Sequence, residues 1–217
     1  MINKFEILIP DASYHVYNRA NGSEKLFLSD ENCHYFLLKF EQYVSPIANT
    51  FCYCLMPNHF HFLIRIKSEK ELDDFFARER KDFQGFKKTD LQGFENLEGL
   101  TKNLEALRAE LLSNQFSNFF NAYTKALNKM YNRKGSLFMH TFKRKRILND
   151  DYLKRLVRYI HQNPVVAGFC NKPEEWQHSS YQILLNSQAT FLNREELIYW
   201  FEDRANFLYF HSVKTEN

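Results

Sequence analysis

Residues 49–66 constrain the fold more than any other stretch of this chain. NTFCYCLM, 49–56, is rich in strand-forming apolar and aromatic residues and stops at Pro57-Asn58, a turn signal. HFHFLIRI, 59–66, then alternates, with Phe60, Phe62, Ile64 and Ile66 on one face and His59, His61, Leu63 and Arg65 on the other. The two runs predict an antiparallel hairpin. Two residues apart on a strand, His59 and His61 project from the same side with backbones roughly 6.8 Å apart. They point away from the apolar face and are spaced to grip one divalent ion.

Flanking segments extend the pattern. ASYHVYNRA, 12–20, predicts a strand ending at Asn21-Gly22, and Ser29-Asp30 opens a helix whose Leu37, Leu38, Phe40 and Val44 lead to Pro46. From 68 to 113 the chain is charged, holds three scattered glycines and shows no strand pattern, so it predicts a helical insertion. A helix over 114–131, a strand over 137–147 and a helix over 151–162, capped by Asn149 or Asp150, complete the series. The order predicts an α+β fold, a small antiparallel sheet with helices on one face. The first domain spans 1–182, with the insertion at 68–113. Residues 183–217, through Phe191, Leu197, Trp200, Phe201 and Phe207, predict a helical extension packed on the core.

The 217 residues are 44% hydrophobic and 25% charged, a balance that excludes a disordered or fibrous chain. No apolar run nears the roughly 18 residues of a membrane span, and the N-terminal stretch lacks a small-residue cleavage site, so a cytoplasmic protein is expected. Cys33, Cys52, Cys54 and Cys170 form no C-x-x-C pair and are expected to be reduced, mostly buried thiols. The formal charge is +3, but residues 119–168 carry eleven Lys and Arg against Asp150 and Asp151. The dense part is Lys143, Arg144, Lys145 and Arg146, a stripe suited to a polyanion.

On the last of these helices Arg155, Tyr159 and Asn163 recur every four residues and share a side, whereas Leu153, Leu156, Val157 and Ile160 occupy another. Pro164 biases Asn163 away from helical geometry, which puts its amide oxygen at a frayed helix end, free to act as a ligand. Residue types and spacing thus give a candidate metal site, a basic stripe and an unassigned tyrosine, but no reaction.

The stretch MPNHFHFLIRI, 56–66, resembles the His-hydrophobic-His signature of the HUH single-stranded-DNA transposases, in particular the REP-associated tyrosine transposases. YLKRLVRYIHQNPVVAG, 152–168, is similar to that family's tyrosine helix and its Asn-Pro. YHVYNRANG at 14–22, GSLFMHTFKRKRI at 135–147 and EWQHSSY at 175–181 follow in family order. The resemblance covers about residues 12–182 and leaves out 68–113. It implies a ferredoxin-like sheet with both histidines on a central strand and the tyrosine helix nearby. It further implies that Tyr159 is the nucleophile and that His59 and His61 hold Mg²⁺ or Mn²⁺. Asn163 would be the third ligand, standing where some relatives have Gln; His161 is a rival, two positions from Tyr159 and so on another side of the helix.

The implied activity is metal-dependent cleavage and rejoining of single-stranded DNA at hairpin or palindromic elements through a 5'-phosphotyrosine link. Lys143, Arg144, Lys145, Arg146 and Arg155 would contact the DNA backbone. The assembly is open between a monomer and a homodimer, and no membrane partner is implied. Two rivals stand beside this reading: a noncatalytic hairpin-binding protein on the same fold, and a metal-dependent nuclease that uses water in place of Tyr159.

Overall fold

In the computed structural model, which describes residues 6–79, 97–139 and 142–213, the predicted hairpin is the first layer of a four-stranded sheet. Strand β2 (Ala48–Met56) turns at Pro57-Asn58 into β3 (His59–Ile66), β1 (Ser13–Arg19) pairs with the other edge of β3, and β4 (Lys143–Ile147) pairs with β1. The spatial order is β2-β3-β1-β4, and every pairing is antiparallel. Seven α-helices accompany the sheet among the described residues.

One face of the sheet packs on α1 (Asp30–Tyr43) and α3 (Leu97–Met130). Here Phe36 and Phe40 of α1, Phe60 and Phe62 of β3, and Phe119 and Tyr123 of α3 form a buried aromatic layer. The Phe40 and Phe62 rings stack at 3.9 Å and 5°, and the Tyr123 hydroxyl donates to the Leu26 carbonyl at 2.6 Å. This cluster is the main core. Helix α2 (Glu69–Glu79) buries Leu72 and Phe76, and its Glu69 and Asp73 pair with Arg108 of α3.

The other face is covered too, which corrects the expectation of helices on one face alone. Helix α4 (Asp150–Val166) lies over it, with Asn163 against His59 and the Tyr159 ring 5.5 Å from that of His61. The physical reason is in β2, where residues 51–56 are apolar or thiol-bearing and buried without alternation, as in a strand covered on both sides.

Three further boundaries differ from expectation. Helix α3 begins at Leu97, well before residue 114, so the segment 68–113 holds α2 and the first half of α3; residues 80–96 of that segment lie outside the described residues. The strand expected over 137–147 is regular only from Lys143; Phe138 makes an isolated bridge to Ala20, and residues 140–141 are outside the described set. Helix α4 does not fray at Asn163. It runs through Pro164 to Val166, where the Ala167 N–H bonds the Asn163 carbonyl and Gly168, at φ +75°, ends it in the left-handed conformation that glycine adopts without strain. Proline removes one N–H from the helix, but it sits in the last turn, where the ladder is nearly complete.

After α4 the chain passes a short 3-10 turn, Pro173–Glu175, and follows the free edge of β2. The Leu55 N–H bonds the His178 carbonyl, the Ser180 N–H bonds the Tyr53 carbonyl, and the Asn193 N–H bonds the Thr50 carbonyl. These bonds occupy backbone groups that an open edge strand would present to another chain. Helices α5 (Tyr181–Leu185), α6 (Arg194–Trp200) and α7 (Arg204–Ser212) follow, burying Tyr181, Leu197 and Phe207.

A line of buried polar groups ties this tail to α4. His211 Nδ1 lies 2.8 Å from the Phe207 carbonyl, which can only accept, so that nitrogen carries the proton and its Nε2 accepts from His161 Nδ1 at 3.0 Å. His161 Nε2 then accepts from the Ser180 hydroxyl at 2.9 Å. Burial holds His161 well below the ordinary histidine range and His211 down to about 4, the latter against the opposing pull of the Phe207 carbonyl. Both rings are therefore neutral in the folded protein and become protonated more readily when it unfolds. The sign follows: their contribution is complete above about pH 6.5 and is lost as pH falls toward 4. Urea unfolding should show stability falling between pH 6.5 and 5, by about 1.6 kcal/mol from His211 alone. In His211→Gln this acid slope should be shallower; an unchanged slope would remove the pair as its source.

Candidate functional site

The register of β1 against β3 decides which side chains meet under α4. His15 lies opposite Leu63, Tyr17 opposite His61 and Arg19 opposite His59, while β4 sets Lys143 beside Tyr17 and Lys145 beside His15. Alternation sends all of these to one face. Above them, α4 presents Arg155, Tyr159 and Asn163 on successive turns. The helix is positioned by the Asn149 side chain, which caps it by accepting from the Tyr152 N–H at 2.7 Å, by its buried stripe of Leu153, Leu156, Val157 and Ile160, and by the His161 relay.

The structure brings His59, His61, Tyr159 and Asn163 together from two elements about a hundred residues apart. His59 Nε2 lies 3.3 Å from Asn163 Oδ1, and its Nδ1 lies 2.7 Å from Asn58 Oδ1. His61 is buried and His59 half-buried. Tyr159 stands over them with its ring edge-on to His61 at 5.5 Å and to His15 at 6.1 Å, yet 51% of its surface is open to solvent. About half of this residue is therefore reachable from solvent. His161, the rival ligand, is fully buried on the tail side of α4 and takes no part in the cluster.

Electrostatics keep the cluster neutral. Burial, with the nearby His15 and His59, pushes His61 down to about 3; burial and Lys145 push His15 to about 4; burial lowers His59, opposed by the Asn163 bond and reinforced by Arg19. Neutral imidazole is the form that offers a lone pair to a metal. As its neighbours are oriented, His59 has an oxygen at each ring nitrogen but only one proton to donate. One oxygen therefore faces a nitrogen lone pair, an arrangement that a cation between them would turn into two ligands. No group of three or more His, Cys, Asp or Glu spaced for a metal occurs among the described residues. The donors that could hold a divalent ion are instead two imidazoles and an amide oxygen, His59, His61 and Asn163; Mg²⁺ and Mn²⁺ prefer oxygen, so water or substrate oxygens would have to fill most of their shell here.

The basic run does not form one stripe. On a strand its members alternate, so Lys143 and Lys145 lie on the site face, with Lys143 Nζ 5.9 Å from the Tyr17 ring centre and Lys145 Nζ 4.9 Å from that of Tyr152. Arg144 and Arg146 fall on the face of Val16 and Tyr14, where Arg144 packs on Phe142 and donates to the Glu6 carbonyl and the Arg146 N–H meets the Glu6 carboxylate. Arg155 is exposed one turn before Tyr159.

Two members of the cluster are not apparent from the sequence. His15 and Asn58 each hold the Nδ1 of one site histidine, at 2.9 Å and 2.7 Å. The alternation Ser13, His15, Tyr17, Arg19 is the available signal for His15, but its meaning depends on the pairing with β3.

No helix among the described residues is long and apolar enough to cross a membrane. No protein-family model matches the chain, and no curated protein does. Among solved structures, the chain is similar to a REP-associated tyrosine transposase bound to a REP hairpin, with a TM-score of 0.56 and 12% identity over 85% of this chain and 86% of the other. At that identity the likeness is one of fold.

Proposed function

We propose that this protein is a DNA-strand cleaving and rejoining enzyme of the HUH single-tyrosine type, acting on hairpin or palindromic single-stranded DNA in the cytoplasm. The observation that carries the reading is the convergence of Tyr159 and Asn163 of α4 on His59 and His61 of β3. The strand order β2-β3-β1-β4, read as ferredoxin-like, supports it, as does the hairpin held by the transposase of similar fold.

In this reading the exposed Tyr159 hydroxyl attacks the scissile phosphorus in line with the departing 3'-oxygen. A tyrosine-to-phosphorus bond forms as the phosphorus-to-3'-oxygen bond breaks. The phenol gives up its proton and the departing oxygen takes one up, leaving a 5'-phosphotyrosine and a free 3'-hydroxyl. One phosphodiester replaces another, so the reverse attack rejoins the strand without a nucleotide cofactor. His59, His61 and Asn163 would hold a divalent metal, which when bound polarises the phosphate and offsets its developing charge. Helix α4 rests on its own chain's sheet, which supports a site complete within one copy; a homodimer is not needed for the chemistry. Lys143, Lys145 and Arg155, on the Tyr159 side, are the cations best placed to receive the DNA backbone, and Tyr17 offers an aromatic face beside them.

Tyr159→Phe should abolish cleavage of hairpin-bearing single strands in Mn²⁺ while changing the Kd for them less than about threefold. His59→Ala should lose cleavage and weaken Mn²⁺ binding together. Cutting that survives in Tyr159→Phe but not in His59→Ala would favour the water-using nuclease; hairpin binding without any cutting by the parent would favour the noncatalytic binder. The split of the basic run gives a second test. Replacing Lys143 and Lys145 by Gln should lower the slope of log K against log salt by about 0.7 for each phosphate that is no longer neutralised. The same change at Arg144 and Arg146 should leave the slope nearly unaltered, and equal effects from the two pairs would place the interface across both faces of β4.

A further inference from the structure

We infer that His15 is a positioning residue for the metal site: its Nε2 accepts the Nδ1 proton of His61 and so leaves the His61 Nε2 lone pair free to ligate. The inference rests on the proposed function for the identity of the site, but its geometry stands alone. His15 Nε2 and His61 Nδ1 are 2.9 Å apart and both rings are buried. A bond between two neutral imidazoles needs one donor and one acceptor, so only two arrangements exist. If His15 donates, His61 carries its remaining proton on Nε2 and cannot bind a metal there. If His61 donates, its Nε2 is bare. The Nδ1 of His61 is engaged by His15 in either case, so Nε2 is the nitrogen left for a ligand.

The packing fixes the position of the His15 ring, whichever way the proton lies. His15 is held between Tyr17, stacked at 4.6 Å and 25°, and His61, stacked at 5.0 Å and 27°, with the Tyr159 edge at 6.1 Å. On the other histidine the nearer oxygen, Asn58 Oδ1 at 2.7 Å from Nδ1 against Asn163 Oδ1 at 3.3 Å from Nε2, is the better acceptor of the single proton, which leaves His59 Nε2 bare toward Asn163. The two site histidines are thus each gripped at Nδ1 by a residue outside the proposed donor set, one by an amide and one by His15. Partners of this kind orient a ligand ring and raise its basicity, and removing one typically weakens metal affinity 10- to 100-fold.

Full-length parent, His15→Phe and His15→Gln separate this role from packing. Phe keeps an aromatic ring between Tyr17 and His61 but offers no acceptor, whereas Gln offers an amide oxygen. By calorimetry, His15→Phe should bind Mn²⁺ at least tenfold more weakly than the parent, and His15→Gln should recover most of that affinity. Imidazole nitrogen NMR of the metal-free parent should show His61 protonated at Nδ1, a preference that disappears in His15→Phe. Parent-like Mn²⁺ affinity in a folded His15→Phe, or a parent His61 protonated at Nε2, would overturn the assignment. If the parent binds no Mn²⁺ the metal reading fails, and the tautomer measurement still decides what His15 does.

Discussion

The antiparallel pairing of β1 with β3 is the constraint on which the rest of the molecule depends. Its register sets Tyr17 opposite His61 and Arg19 opposite His59, and the period of two then decides that His15, Tyr17, His59 and His61 share a face while Phe60 and Phe62 enter the aromatic core. A slip of one residue would exchange the two sets, burying the histidines among Phe36, Phe40 and Phe119 and exposing the phenylalanines. The same pairing that makes the core therefore makes the site. The stacked Phe40 and Phe62 rings anchor the register from one side, and the His15–His61 bond reads it out on the other.

A site built across two elements also needs the second one held still. Helix α4 has an apolar stripe for this, but its hold on the sheet continues through the tail. The Ser180, His161 and His211 relay joins α4 to β2 and α7, Gln162 donates to the His211 carbonyl, and Arg158 lies over Phe210. The His161 relay lies on the side of α4 away from Tyr159, and Arg158 and Gln162 flank that residue. The arrangement separates the two demands on the helix: one side is fixed by buried, neutral polar groups and the other is left open to a substrate.

Much of this is legible in the residues, and the exceptions share a cause. Strands β1 and β3 announce themselves by alternation, β2 by its run of strand formers up to Pro57-Asn58 and helix α1 by helical spacing, none of which needs knowledge of partners. The second helical layer is signalled by the unbroken apolar run at 51–56, a local feature whose meaning is burial on both faces. Pro164 misleads because its effect depends on how much helix follows it; Gly168, four residues on, is the true terminator. Lys143 to Arg146 reads as a patch in one dimension and separates into two faces once it is a strand. The convergence of Tyr159 and Asn163 on His59 and His61 has no local signal at all, since spacing within a segment cannot say which segment lies opposite. It enters through resemblance to the tyrosine transposases, and His15, which no motif singles out, emerges only from the register.

The central claim is that Tyr159 forms the covalent link to DNA, and it is tested most directly by locating that link. The protein would be incubated in Mn²⁺ with single-stranded hairpins from the DNA flanking its own gene, digested with protease and nuclease, and analysed by peptide mass spectrometry. The account predicts a nucleotide phosphate attached to the peptide bearing Tyr159 and to that tyrosine within it. A phosphonucleotide on Tyr17 or another residue, or strands cut with no modified peptide, would contradict it.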